Sequence, residues 1–230
     1  KEGLSSLVSI KGNFKKNNQL SLDLINLQEK KNEISIKGLK LSKNFKIIDI
    51  ENLNFNYKNN KKILNNLKLK KDKSNFIIKG ESFDASKIIN NIMDSDEEKV
   101  SIFDNLNSKI NIKIKKTYID EINYLNNFYG DISYSNNKID NLKLESIFPN
   151  KKKINLSIET KNNSEIITRL FSAYPKPLVN RYDFIKGFEE GYLDFYSTKK
   201  GGVSNSVLVI DDFKVKEVPI FAKILSLASL

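Results

Sequence analysis

Three pairs of adjacent carboxylates, Asp120-Glu121, Glu189-Glu190 and Asp211-Asp212, are the residues whose type best suits acid–base chemistry. Paired carboxylates divide the roles of general acid and general base when both reach one substrate. Neighbours on an extended strand point to opposite faces, so these pairs do not converge and read as solvated edges and turns. Asp94, Asp96, Glu97 and Glu98 make an acidic loop without the glycine and terminal glutamate of a calcium-binding loop. Gly201-Gly202 follows two lysines, but a phosphate cradle needs more glycine, a strand before it and a helix after it. A hairpin turn is expected there instead. The chain has no histidine and no cysteine. That removes thiol nucleophiles, disulfides, Cys/His zinc sites and imidazole catalysis together. With no Gly-x-Ser-x-Gly or Walker pattern and no serine beside a general base, we expect no enzyme, no cofactor and no metal.

Charge is the next candidate for function. The 230 residues carry a net charge of +11, built from 37 lysines and only two arginines, Arg169 and Arg181, alongside 31 asparagines. Nucleic-acid readers rely on arginine for bidentate contacts to phosphate and guanine, so no nucleic acid is expected as a partner. Lysine, asparagine and isoleucine enriched together fit the compositional bias of an AT-rich genome on a solvated face. The 39% hydrophobic content and a mean hydropathy of −0.44 are those of a folded, soluble protein. No run of about 18 apolar residues is present, so nothing here is read as spanning a bilayer. The chain starts at Lys1 without a signal sequence and ends in the apolar run Ile220–Leu230, which reads as an excised segment of a longer protein.

The elements that would position any site follow from a period of two. Ile110, Ile112 and Ile114 alternate with Asn111, Lys113 and Lys115, giving a strand one apolar and one lysine-coated face. The pattern recurs at Leu20, Leu22 and Leu24, at Ile34 and Ile36, at Leu53, Phe55 and Tyr57, and at Leu67 and Leu69. It returns at Ile132 and Tyr134, at Leu142 and Leu144, at Leu156 and Ile158, and at Val207 and Val209. Short polar turns such as Ser135-Asn136-Asn137-Lys138 and Lys199-Lys200-Gly201-Gly202 separate these runs, because Asn and Gly accept the left-handed backbone that tight turns need. The expected fold is mainly β: a long antiparallel meander with about three short flanking helices. Those helices are expected near 84–93, with Ile88, Ile89 and Ile92 on one face, and near 164–174, with Leu170 and Phe171. The third is expected near 218–230, with Phe221, Ile224 and Leu225, opened by Pro219 in its first turn.

One stretch has a familiar pattern. "SIETKNNSEIITRLFSAYPKPLVNRYDFIKGFEEGYLDFYSTKKGG" is followed by "VLVIDDFKVKEVPIFAKILSLASL". It resembles the C-terminal region of bacterial AsmA-like proteins, with Asp212-Phe213, Val215 and Pro219 leading into an apolar ending at Leu230. Upstream, "IIKGESFDASKIINNI" resembles a strand, corner and short helix of the same family. The family's glycine pair is broken here, with Phe188, Glu189 and Glu190 standing between Gly187 and Gly191. The division expected is an amphipathic meander over 1–75 and an AsmA-like region over 76–230.

The resemblance implies a protein of the Gram-negative envelope, periplasmic and tethered to the inner membrane through segments outside this chain. Its sheet would curl into an open groove, a β-taco, along which phospholipid or another acyl lipid moves toward the outer membrane. The groove residues would then be Ile110, Ile112, Ile114, Ile132, Tyr134, Leu142, Leu144, Leu156, Ile158, Val207 and Val209, with helices capping or flanking. Envelope proteins are possible partners. The readings held beside this one are a non-transporting scaffold for outer-membrane assembly and a polyanion-binding β protein.

Overall fold

Alternating isoleucine and lysine make an extended strand the conformation that removes every isoleucine from water while leaving every lysine in it. The computed structural model describes residues 6–15, 19–93, 103–161, 164–181, 186–214 and 216. They form fourteen strands of open, mixed sheet and two short helices. The chain divides into two compact units, Lys1–Ser146 and Ile147–Leu230.

The first unit contains β1 (Leu7–Lys15), β2 (Gln19–Glu29), β3 (Asn32–Leu41), β4 (Ile47–Asp49), β5 (Asn52–Lys58), β6 (Leu64–Asp72) and β7 (Asn75–Asp84). After helix α1 (Ser86–Met93) come β8 (Ser108–Tyr118), β9 (Tyr124–Ser135) and β10 (Lys138–Ile147). Hydrogen-bonded order follows the chain, β1-β2-β3-β5-β6-β7-β8-β9-β10, with β4 beside β3. Asn136 and Asn137 both adopt positive φ, 50° and 64°, the two-residue turn whose twist matches the flanking strands. The meander is not wholly antiparallel, which corrects the expectation: β7 and β8 pair in parallel. A parallel neighbour needs a crossover of a dozen residues or more, and the chain between Asp84 and Ser108, with α1 in it, is that crossover. Asp84 accepts a hydrogen bond from the Ser86 N–H at 3.0 Å, holding the start of α1.

Leu39, Ile50, Phe76 and Leu106 form the buried core at one end of this unit. Leu106 and its neighbour Phe103 reach the core on a short strap leading into β8. Asp104 N–H donates to the Ile47 carbonyl (2.9 Å), and Leu106 N–H donates to Asn137 Oδ1 (2.6 Å). Asn137 returns a backbone N–H to the Leu106 carbonyl at 3.1 Å, so one residue makes the turn and holds the strap. Ile36 and Leu39 both join the core although three residues apart. Gly38, at φ 62°, resets the alternation between them.

Asp49 anchors the same end. Lys71 Nζ lies 2.6 Å from Asp49 Oδ1 and Lys40 Nζ 3.4 Å from Oδ2. Burial alone would raise this carboxyl, but the hydrogen bond and charge of Lys71, then those of Lys40, outweigh it and hold it below the ordinary 3.8. A carboxyl lowered in the folded state stabilises the fold above its unfolded pKa and loses that contribution as pH falls through the folded one. Asp49→Asn is therefore expected to cost about 1 kcal/mol at neutral pH, and the cost should fade below about pH 4. The wild-type-minus-variant difference in urea midpoint, followed across pH, checks this.

The second unit contains β11 (Lys153–Thr160), β12 (Ile166–Ser172), α2 (Lys176–Arg181), β13 (Tyr192–Lys200) and β14 (Val203–Asp211). Its strands pair antiparallel in chain order. Gly201 and Gly202 form the β13–β14 hairpin turn at φ 57° and 85°, as expected of a turn. The helix expected near 164–174 is instead strand β12, and α2 begins only after Pro175. The doublets Ile166-Ile167 and Leu170-Phe171 mimic a helical stripe. Pairing with β11 on one side and β13 on the other satisfies the backbone and uses both faces of an extended chain. Pro175 accepts hydrogen bonds from the Leu178 and Val179 N–H groups (2.9 Å each), opening α2 where missing donors cost nothing. The helix expected near 218–230, with Phe221, Ile224 and Leu225, lies outside the described residues.

Candidate functional site

With no acid–base or nucleophilic constellation in the sequence, the surface most developed by the fold is the apolar face of the first unit. Cross-strand register arranges its side chains in rows. Leu27, Ile34, Phe55, Leu67, Gly80, Ile114 and Phe128 oppose one another in turn from β2 to β9. Ile25, Ile36, Leu53, Leu69, Ile78, Ile112 and Gly130 form the row beside it. The opposite face carries Lys68, Lys79 and Lys113 side by side. Like charges in direct opposition are tolerated only where water screens them, so that face is the solvated one.

The two glycines in these rows have a steric role. A Cβ at Gly80 would run into the Asn66 carbonyl oxygen, and one at Gly130 into that of Lys143. Glycine lets the neighbouring strand come close there. Leu144 lies beside Gly130, its Cδ2 2.7 Å from where that Cβ would be. At one end the rows meet the strap with Phe103 and Leu106. At the other, the phase of Ile114 continues to Lys116, whose ammonium sits 3.7 Å from the Tyr124 ring centroid and 4.8 Å from that of Tyr118.

Most row side chains are half-buried. Ile25, Ile36, Leu53 and Leu69 of the second row pack against the buried cluster that includes Leu39, Phe76 and Leu106, and Ile114 of the first row is buried. A sheet with one apolar face ordinarily covers it with a second layer. Here the buried cluster around Leu39, Phe76 and Leu106 supplies part of that cover.

The predicted residues distribute as follows. Ile110 pairs with Ile132, and Ile112 and Ile114 follow on the same face. Tyr134 opposes Ser108 and packs on the core around Leu39 and Phe76, where burial raises its phenol above the ordinary value. Ile114, in the first row, and Leu142 on β10 are buried. Of the α1 residues, Ile88 is exposed and Ile89 half-buried, while the side chain of Ile92 lies outside the described residues.

In the second unit, Leu156, Leu170, Phe195 and Leu208 form one continuous row from β11 to β14. Ile158 shares their face, opposite Thr168. Leu170 and Phe171 therefore do not share a helix face; they point to opposite sides of a strand. Val207 and Val209 also point away from Leu156, paired with Tyr196 and Asp194. Leu208 is the residue that sequence reasoning missed. Val207–Ile210 is an unbroken apolar run, without the alternation that would have marked which pair faces in. Ile78, inside Phe76–Ile78, was missed for the same reason.

Among the described residues no group of three or more carboxylates could hold a metal ion, and no helix is long and apolar enough to cross a membrane. Compared with known proteins, the chain matches no family model, no curated protein and no solved structure.

Proposed function

We propose that this chain is a segment of a periplasmic bridge-like protein of the AsmA-like kind, which holds and conducts phospholipid between inner and outer membrane. In this reading the sheet curls so that the apolar rows line an open groove and acyl chains pack on their half-buried side chains. The protein is tethered to the inner membrane by segments outside this chain, and it catalyses no reaction. The observation that carries the reading is the pair of continuous apolar rows running across seven strands, most of their side chains only half-buried.

Burial of a methylene contributes roughly 0.8 kcal/mol, so an acyl chain of about 16 carbons along such rows would be held firmly. Its grip would also be non-directional, because no hydrogen bond fixes a methylene in one register. That combination suits sliding. The test is organic extraction of protein purified from cells, followed by mass spectrometry. Phospholipid at one or more molecules per chain is expected, and a folded sample free of it would overturn the proposal.

A further inference from the structure

The second unit carries a differently built surface on the side opposite Leu156 and Leu208. Register places Arg169, Tyr196 and Val207 in one row and Phe171, Asp194 and Val209 in the next. These six side chains, with Leu170 and Phe195, line a cavity of about 280 Å³. The two charges occupy one diagonal of the grid and the two aromatic rings the other. Val207 and Val209, 58% and 42% exposed, form its outer wall on edge strand β14.

Diagonal neighbours across a sheet are about 7–8 Å apart, within reach of long side chains. Yet among the described residues neither Arg169 nor Asp194 belongs to an ion pair. The Arg169 guanidinium lies instead over the Tyr196 ring, 5.5 Å from its centroid. A basic chain with 37 lysines has placed one of its two arginines here, where stacking pre-orients a planar fork of donors suited to phosphate or carboxylate oxygens. Asp194 would repel a simple anion and attract an ammonium group.

We propose that this cavity binds the phosphate–ammonium zwitterion of a phospholipid headgroup. The phosphate lies on Arg169 and the ammonium on Asp194, and the first methylenes rest against Phe171, Val207 and Val209. The site lies on the face opposite the Leu156 and Leu208 side chains, and its choice of a phospholipid as the zwitterion rests on the proposed function.

The experiment titrates the whole chain, labelled with carbon-13 tyrosine, with monomeric dihexanoyl-phosphatidylethanolamine below its micelle concentration. The Tyr196 ring resonance, assigned by its loss in Tyr196→Phe, is followed. Saturable shifts are expected, with affinity falling at least about tenfold in Arg169→Gln and in Asp194→Asn, a change of 1.4 kcal/mol. Dihexanoyl-phosphatidylglycerol should bind more weakly for want of an ammonium, and free phosphoethanolamine for want of an apolar arm. Equal binding of the two lipids, indifference to both substitutions, or no shift of Tyr196 with any probe would each overturn the proposal. Co-purified phospholipid is measured in the same variants. Its persistence in Arg169→Gln would leave the groove reading standing whichever way the Tyr196 titration falls.

Discussion

Phe188→Ala is expected to remove about 3–5 kcal/mol from the stability of the second unit, the usual cost of truncating a fully buried phenylalanine. Phe188 is 1% exposed and packs with Val179 and Leu193 at the centre of that unit's core, against Leu170, Phe195 and Ile210. Its ring also stacks on Phe213 at 6.1 Å and 16°. Single domains have only about 5–15 kcal/mol in hand, so this loss consumes much of the margin of a small unit. Urea unfolding followed by near-ultraviolet circular dichroism should show one transition shifted strongly to lower urea. Ile122→Ala, at an 82% exposed turn position, should change the midpoint by less than about 0.5 kcal/mol. A loss at Phe188 no larger than that at Ile122 would show that the core lies elsewhere.

Two neighbouring substitutions to the same residue should have opposite outcomes for lipid content. Ile112 lies mid-row between Ile78 and Gly130, whereas Lys113 lies between Lys79 and Tyr129 on the other side. Ile112→Asp places a carboxylate on the apolar face, where losing hydration without a partner costs several kcal/mol. Under the groove proposal, co-purifying phospholipid should drop from stoichiometric to near background. Lys113→Asp should leave lipid content unchanged, although it alters charge by two units. Thermal melts of both variants separate loss of lipid from loss of fold. If the folded Ile112→Asp protein retained its lipid, the rows of the first unit would not be where it lies.

Much of the fold was legible residue by residue. The isoleucines of β8 alternate so strictly that face and strand are one inference, and Asn136-Asn137 and Gly201-Gly202 marked turns because few other residues accept positive φ at low cost. Helix α1 was legible from the apolar stripe Ile88, Ile89 and Ile92. The errors fell where two periodicities coincide. Ile166-Ile167 and Leu170-Phe171 satisfy a helical stripe and a two-sided strand equally well, and only β11 and β13 on either side decide for the strand. The runs Phe76–Ile78 and Val207–Ile210 have no polar phase, so each contributed a residue, Ile78 and Leu208, that spacing did not mark.

The candidate face divides in the same way. Composition and spacing determined that this chain would fold as sheet, that lysines would coat one side, and that chemistry dependent on histidine or cysteine was closed to it. Those are local matters, settled by side-chain type and a two-residue repeat. Tertiary structure decided what local signals cannot encode. It made β7 and β8 parallel, because their pairing depends on where a crossover lands. Register, a property of two strands at once, aligned Ile34, Phe55 and Leu67 into one row. It also turned Val207 and Val209 away from Leu156, because pairing with β13 determines which phase of an apolar run faces inward. The face first marked by alternating isoleucines is thus a set of rows running across the strands, and the arginine–aspartate cavity of the second unit came into view only through that register.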